Sequence, residues 1–335
     1  MTAVQIESFT VCRDDTIFEG WPDLIRLKSG RMLLVYNECN SHGDRNHSKI
    51  AMRVSDDDGT TWSEKQYIGP ETQHGDHWNS IRVNQLSDGR ILLVCDRVIV
   101  WETSAETELY LWESTDDGET WSVGRKLGIH GYCSDKIREL ADGTLMLCVS
   151  RYNPAIGKTE VFAYRSGDGG ETWTPPITVA ADPQYTFIEP ALLECRNGTL
   201  AVFLRENSLA GYNGFIALLK DGGKTFENER QIPLKGMHRP FVGFLEDGRI
   251  LLSYREHLSF ALPYPDLKGV IFTEQSLLAG LDDRNVFRIA HDSGASPDQG
   301  YSAWVQLDGS TVYMVNYIMN GAPRAYIQGY RITLP

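Results

Sequence analysis

Arg97, Arg151, Arg205 and Arg255 each follow closely behind a recurring turn glycine, and Arg239 shortly precedes another. Acidic and aromatic neighbours accompany them at the corresponding places: Trp21-Pro22-Asp23, His77-Trp78-Asn79, Ser134-Asp135-Lys136, Glu189-Pro190 and Tyr301-Ser302 before the glycines, Asn37-Glu38, Asp96 and Glu206 after them. The planar guanidinium fork binds carboxylates bidentately, so several such groups on one surface, faced by acids, make a receptor for an acidic ligand. Salt bridges between neighbouring structural units are the other use of the same residues. Asp135, His77 and Trp78 join the five arginines as expected substrate contacts.

These residues need a scaffold that brings six distant segments together, and the chain repeats itself in a way that supplies one. The phrases LIRLKSGRMLLVY, VNQLSDGRILLVC, IRELADGTLMLCV, LLECRNGTLAVFL, VGFLEDGRILLSY and WVQLDGSTVYMVN share one pattern. Each reads as an alternating strand, a tight turn and an aliphatic strand. Their turn glycines, Gly30, Gly89, Gly143, Gly198, Gly248 and Gly309, are spaced by 59, 54, 55, 50 and 61 residues. A second phrase, Ser-x-Asp-x-Gly-x-Thr-Trp, interleaves with the first at Ser55–Trp62, Ser114–Trp121 and Ser166–Trp173, with a degenerate copy at Asp221–Phe226. In this phrase the aspartate accepts backbone N–H bonds, the glycine takes the left-handed position and the aromatic packs beneath. Long helical periodicity is absent; Glu274–Asn285 suits a short helix or an irregular loop. Six four-stranded units predict an all-β fold, a six-bladed β-propeller formed as one domain over residues 1–335. The alternating segment Val4–Val11 is expected to close the ring beside Arg324–Leu334, hiding both edges.

Composition narrows the function classes. The 335 residues carry 32 basic and 45 acidic side chains, a net charge of −13. Nucleic acid, which wants a basic face, is not an expected partner. An anionic small substrate is compatible, because local charge can oppose net charge. No run approaches the roughly 18 apolar residues of a membrane span, so no membrane partner is expected. No basic-then-apolar leader opens the sequence; the expectation is a cytoplasmic protein, or a secreted or periplasmic one after signal removal. The six cysteines form no CxxC pair and read as buried thiols.

The Ser-x-Asp-x-Gly-x-Thr-Trp turn resembles the Asp-box, or BNR repeat, of the sialidase (neuraminidase) superfamily, and the six-fold count agrees with that fold. The resemblance covers nearly the whole chain and implies an exo-glycosidase acting on an acidic glycan, with no cofactor. Phe187-Ile188-Glu189-Pro190-Ala191-Leu192 resembles the strand carrying the acidic partner of the nucleophile, and Gly300-Tyr301-Ser302-Ala303-Trp304 the strand carrying a nucleophilic tyrosine. Arg205 resembles the second arginine of the substrate-carboxylate triad, with Arg255 as a further member. Asp44, in the loop after the second strand of blade one, is the implied general acid. The family's blade-one phrase, aromatic-Arg-Ile-Pro, is missing: the chain reads Glu19-Gly20-Trp21-Pro22, with Gly20 where the arginine would stand. Either Arg255, Arg97 or Arg239 replaces it, or the substrate is not an ordinary sialoside. His42, His47, His74, His77, His130 and His238 fall on segments expected at the same mouth, where they can bind sugar hydroxyls, move protons or hold a metal, although no metal-site spacing is present. Two other functions stay open: a lyase or other glycosidase acting on uronic-acid polysaccharide through Tyr301 and a channel histidine, and a carbohydrate-binding propeller without turnover.

Overall fold

The computed structural model describes residues 4–101, 104–219, 226–227, 229–258 and 266–335. Its strands form six antiparallel four-stranded sheets. Blade one is Phe18–Arg26, Met32–Cys39, Lys49–Ser55 and Gln66–Ile68; blades two to five follow in the same order, each beginning with its innermost strand. Blade six takes three strands from the C-terminal segment, Gln299–Gln306, Thr311–Ile318 and Tyr326–Thr333, and its fourth from the N-terminus, Gln5–Cys12. Gln5 pairs with Thr333 and Ile6 with Ile332, so the ring closes as the alternation predicted. Glu274–Ala279 is a short helix, capped by the Thr273 hydroxyl at one end and by left-handed Gly280 at the other.

The aliphatic strands bury their side chains between blades. Leu33, Val35, Ile81, Val83, Trp78 and Trp112 fill the space between blades one and two, and corresponding clusters fill the others. Near the axis, carboxylates join one blade to the next. Asp23 accepts from the Val83 amide at 2.8 Å, and Asp135 from the Leu192 amide at 2.7 Å. Lys136, pushed by burial down to about 8, sits 3.0 Å from Asp23.

The three complete Asp-box turns sit between the third and fourth strands of blades one to three, away from the axis. In the first, Asp57 accepts from the Thr61 amide at 2.8 Å, the Thr61 hydroxyl at 2.7 Å and the Ser55 hydroxyl at 2.8 Å. The Ser55 oxygen in turn accepts from the Gly59 amide at 2.9 Å. Gly59 is left-handed, and a Cβ there would lie 2.4 Å from the Tyr313 ring. The second and third turns repeat these bonds around Asp116 and Asp168. The degenerate copy lies outside the described residues except for Phe226.

These bonds, led by the Thr61 amide, hold Asp57 down at about 2, and equivalent bonds lower Asp116 and Asp168. A carboxylate whose pKa falls on folding stabilises the fold above its unfolded pKa, and that contribution fades as pH drops through the folded value. Thermal melts of the Asp57→Asn/Asp116→Asn/Asp168→Asn variant should therefore start lower at about pH 7 and lose less between about pH 5 and pH 2 than the parent. Parallel curves would show that the turns do not carry the acid sensitivity.

Candidate active site

Six residues around the axis share one backbone conformation, and none of them is glycine. Trp21, Ser80, Cys133, Glu189, Arg239 and Tyr301 all have left-handed backbone, with φ between 29° and 54°. Each lies at the axial start of its blade. In five blades this is where the pairing of the innermost strand slips: between Gly20 and Asp23, Asn79 and Arg82, Ile188 and Ala191, His238 and Phe241, and Gly300 and Ala303. Such bulges bend a strand and re-aim its side chain. A non-glycine residue in this conformation costs about 1–3 kcal/mol. The bulge residues meet one another: Tyr301 donates to Glu189 at 2.6 Å, Arg239 covers the Tyr301 ring at 4.7 Å, and Trp21 meets that ring edge-on at 6.5 Å.

Glu189 is buried, and its charge is compensated from several sides. Arg205 donates to it at 2.8 Å, and Arg255 lies 3.9 Å away. Burial pushes the carboxyl up, but Arg205, Arg255 and the hydrogen bonds from Arg205 and Tyr301 outweigh it and hold it below the usual range. The Tyr301 phenol is driven well above its ordinary value, by burial first and then by the Glu189 charge. The pair is thus a neutral phenol donating to an ionised carboxylate. Three guanidiniums surround the phenol ring: Arg239, Arg255 at 5.3 Å and Arg82 at 5.5 Å. Arg239 also donates to the Ser134 carbonyl at 3.1 Å, and Arg255 to the Tyr317 hydroxyl at 3.1 Å.

The expected residues separate into three groups. Tyr301, Glu189, Arg205, Arg239 and Arg255 come together at the axis. Asp44, His77 and Arg97 line a cavity of about 930 Å³ between blades one and two, with Arg45 and His74. Arg97 is held there by Asp76, with Nε at 2.8 Å. His77 is pushed down to about 4, by burial and then by Arg45, so its imidazole is neutral. The Asp44 carboxylate is exposed and bound within its own loop, by the Asn40 amide at 3.0 Å and the Asn46 side chain at 2.9 Å. These bonds lower its pKa, the opposite of what a resident proton donor needs.

Three expectations need correction. Trp78 is fully buried against Tyr110 and Trp112, with its indole N–H on the Pro70 carbonyl, so it is core rather than a ligand contact. Asp135 is buried in the inter-blade bond to Leu192 and faces Arg138 at 3.6 Å. Arg151 lies over the Phe162 ring at 4.1 Å and is not part of the arginine group around Tyr301.

Other residues at the mouth are not evident from the repeat. Arg82 lies two residues past its bulge, where blade one has Asp23; extending the comparison of innermost strands by two residues would have found it. Gly20 leaves no room for the arginine of the family phrase, since a Cβ there would lie 2.5 Å from the Phe18 ring. Instead Arg45 lies over the neighbouring Trp21 ring at 4.2 Å and donates to Asn79 at 2.5 Å. Asn79 also donates to Asp96 at 2.8 Å, whose carboxyl burial raises to about 6. His42 Nδ1 is 2.8 Å from Asp298, a contact between loops 256 residues apart in sequence.

Residues 44–314 match the family model described as a BNR repeat-like domain. A sialidase of Clostridium perfringens is 28% identical over 162 residues, covering 43% of this chain and 41% of the relative. A sialidase of Paraclostridium sordellii is 27% identical over 220 residues, covering 60% and 51%. The chain thus matches about half the length of these curated relatives. Among solved structures, a protein of unknown function from Dyadobacter fermentans superposes with a TM-score of 0.84 at 23% identity over the whole of both chains. The Hadza microbial sialidase Hz136 superposes with a TM-score of 0.76 at 17% identity, covering 98% of this chain and 68% of the other. At these identities the structural likeness establishes the six-bladed fold.

Removing Arg205 leaves Glu189 buried with much of its compensation gone. Arg205→Ala should cost about 3–5 kcal/mol in denaturant unfolding, and adding Glu189→Gln should recover part of that loss. An Arg205→Ala variant as stable as the parent would show that the pair is not a buried charge balance.

Proposed function

The chain belongs to the BNR repeat-like domain family, and from that premise we propose a retaining exo-glycosidase of the sialidase type that releases terminal sialic acid or a related acidic keto-sugar. The observation that carries this reading is the 2.6 Å bond from the Tyr301 hydroxyl to Glu189, set among guanidiniums. A 2-keto acid sugar bears a carboxylate on its anomeric carbon. An Asp or Glu nucleophile would meet that charge with its own; a neutral phenol does not, and tyrosine is the nucleophile by which sialidases depart from the two-carboxylate pattern.

The buried pair supplies what the attack requires. Tyr301 donates its proton to Glu189 as its oxygen bonds the anomeric carbon. The phenol stays protonated until then, because burial and the Glu189 charge both oppose its ionisation. Arg82, Arg239 and Arg255 stabilise the phenolate as charge develops on it, in a site where fixed charges act more strongly than in water. Arg205 and Arg255 can turn from Glu189 towards the substrate carboxylate as Glu189 gains the proton. Two displacements at one carbon, first by Tyr301 and then by water, retain configuration. The glycan beyond the scissile bond would extend into the cavity lined by Arg45, His77 and Arg97.

Tyr301→Phe keeps the ring and its packing but removes the attacking oxygen. Turnover of a sialoside should fall by orders of magnitude, while the melting temperature falls modestly, as expected for the loss of one hydrogen bond to the buried Glu189. A fluorinated sialic-acid inactivator should label Tyr301 in the parent, read by peptide mapping. Active protein that yields no adduct would end the tyrosine mechanism, and a product with an unsaturated, ultraviolet-absorbing end would assign a lyase instead.

A further inference from the structure

Departure of the glycan requires a proton on its oxygen, and the axial pair does not carry one to spare: the Tyr301 proton passes to Glu189. His42 sits in the loop that follows the second strand of blade one. Its Nδ1 is 2.8 Å from Asp298 Oδ2, and the other carboxylate oxygen of Asp298 accepts from the Tyr317 hydroxyl at 2.8 Å. Tyr317 in turn accepts from Arg255 at 3.1 Å, and Arg255 lies 3.9 Å from Glu189. A continuous polar chain thus runs from His42 through Asp298, Tyr317, Arg255 and Glu189 to Tyr301.

Two aromatic rings, Trp21 and Tyr317, lie between the imidazole and Tyr301 and touch both. His42 meets Trp21 edge-on at 5.3 Å and Tyr317 at 6.3 Å, and both of those rings also meet Tyr301, at 6.5 and 6.3 Å. His42 stays 36% exposed at its side chain, so a ligand can reach it, whereas Asp298 is 18% exposed. Burial pushes the Asp298 carboxyl up, but His42 and the Tyr317 hydroxyl outweigh it and hold it below the ordinary range. An ionised Asp298 keeps a proton on Nδ1 and leaves Nε2 to face the ligand. Among the described residues Nε2 has no hydrogen-bond partner. Among the described residues, the charged groups bonded to His42 are Asp298, at its ring, and Arg45, whose Nε donates to the His42 carbonyl at 3.1 Å. Phe18, Trp21 and Tyr317 complete its surroundings.

We propose that His42, oriented by Asp298, is the proton-transfer residue of the axial site, in place of the Asp44 that the family resemblance implies. This rests on the glycosidase reading above. In the first step His42 enters as the imidazolium, with one proton held on Nδ1 by Asp298 and the other on Nε2, and gives its Nε2 proton to the glycosidic oxygen as the bond from that oxygen to the anomeric carbon breaks. At the same time the Tyr301 oxygen bonds that carbon and its proton passes to Glu189. In the second step neutral His42 takes a proton from water as the water oxygen bonds the anomeric carbon. The bond to Tyr301 breaks, and Glu189 returns its proton to the phenolate.

The test compares 3′-sialyllactose, whose leaving group needs a proton, with an aryl sialoside, whose phenol leaves without one. His42→Gln should lower kcat/KM, which reports the step that expels the leaving group, by about 10²–10⁴-fold on sialyllactose, and by far less on the aryl sialoside. Asp298→Asn should act in the same direction, more weakly, with the same contrast between the two substrates. Asp44→Asn should reduce both substrates alike or neither. Equal losses on the two substrates for His42→Gln, or the leaving-group signature appearing in Asp44→Asn instead, would overturn the assignment while leaving the Tyr301 mechanism standing. Parent enzyme inert towards both sialosides would overturn the glycosidase reading and this assignment together. Melting temperatures of the variants, expected to match the parent, separate a chemical effect from unfolding.

Discussion

The site depends on a repeated backbone kink. At the axial start of each blade one residue adopts left-handed φ, and in all six blades that residue carries a side chain. An L-residue pays for such a conformation, so glycine would be the easier choice wherever only the turn mattered. What the kink provides is direction: Glu189, Arg239 and Tyr301 meet across three different blades. Because the ring closes through pairing of the N-terminal and C-terminal strands, those blades cannot drift apart without breaking the Gln5–Thr333 ladder. Closure and kink together preorganise the pair.

Electrostatic balance then fixes the protonation states. The chain carries a net charge of −13, yet around Tyr301 the local charge is positive: three arginines lie over its ring, one ionised glutamate accepts from it, and a fourth arginine, Arg205, pairs with that glutamate. Those arginines are themselves buried, which is tolerable because Glu189, backbone carbonyls and aromatic faces receive them. At the neutral phenol the guanidiniums thus outnumber the one carboxylate that meets it. The missing blade-one arginine belongs to the same balance. Phe18 occupies the space beside Gly20, and Arg45 enters over Trp21 from the following loop, so a guanidinium reaches the mouth by another route.

Stability and chemistry occupy different radii of the molecule. The Asp-box turns lie between the outer strands and satisfy their own polar groups. Between them and the axis, aliphatic clusters bind neighbouring blades, and Asp23 and Asp135 tie the innermost strands together. This division explains why Trp78 and Asp135, which start their blades beside true axial residues, face inward between blades instead.

The six hairpins, the closing N-terminal strand and the Asp-box turns were legible in the sequence, because each is set by local chemistry: alternating side chains, tight-turn glycines, and an aspartate bonding to neighbours within four residues. The Tyr301–Glu189–Arg205 group was legible only through family resemblance, since nothing local to those residues says that they touch. Tertiary structure alone decided which arginines reach the phenol. Arg82 does and Arg97 does not, although both lie in the first hairpin of blade two, because strand alternation and the bulge send them to different places. It also decided the pairing of His42 with Asp298, 256 residues apart. A repeat fixes the form of each blade, but the axis is a place where six blades contribute unlike residues, and contacts among unlike residues leave no periodic trace in a single chain.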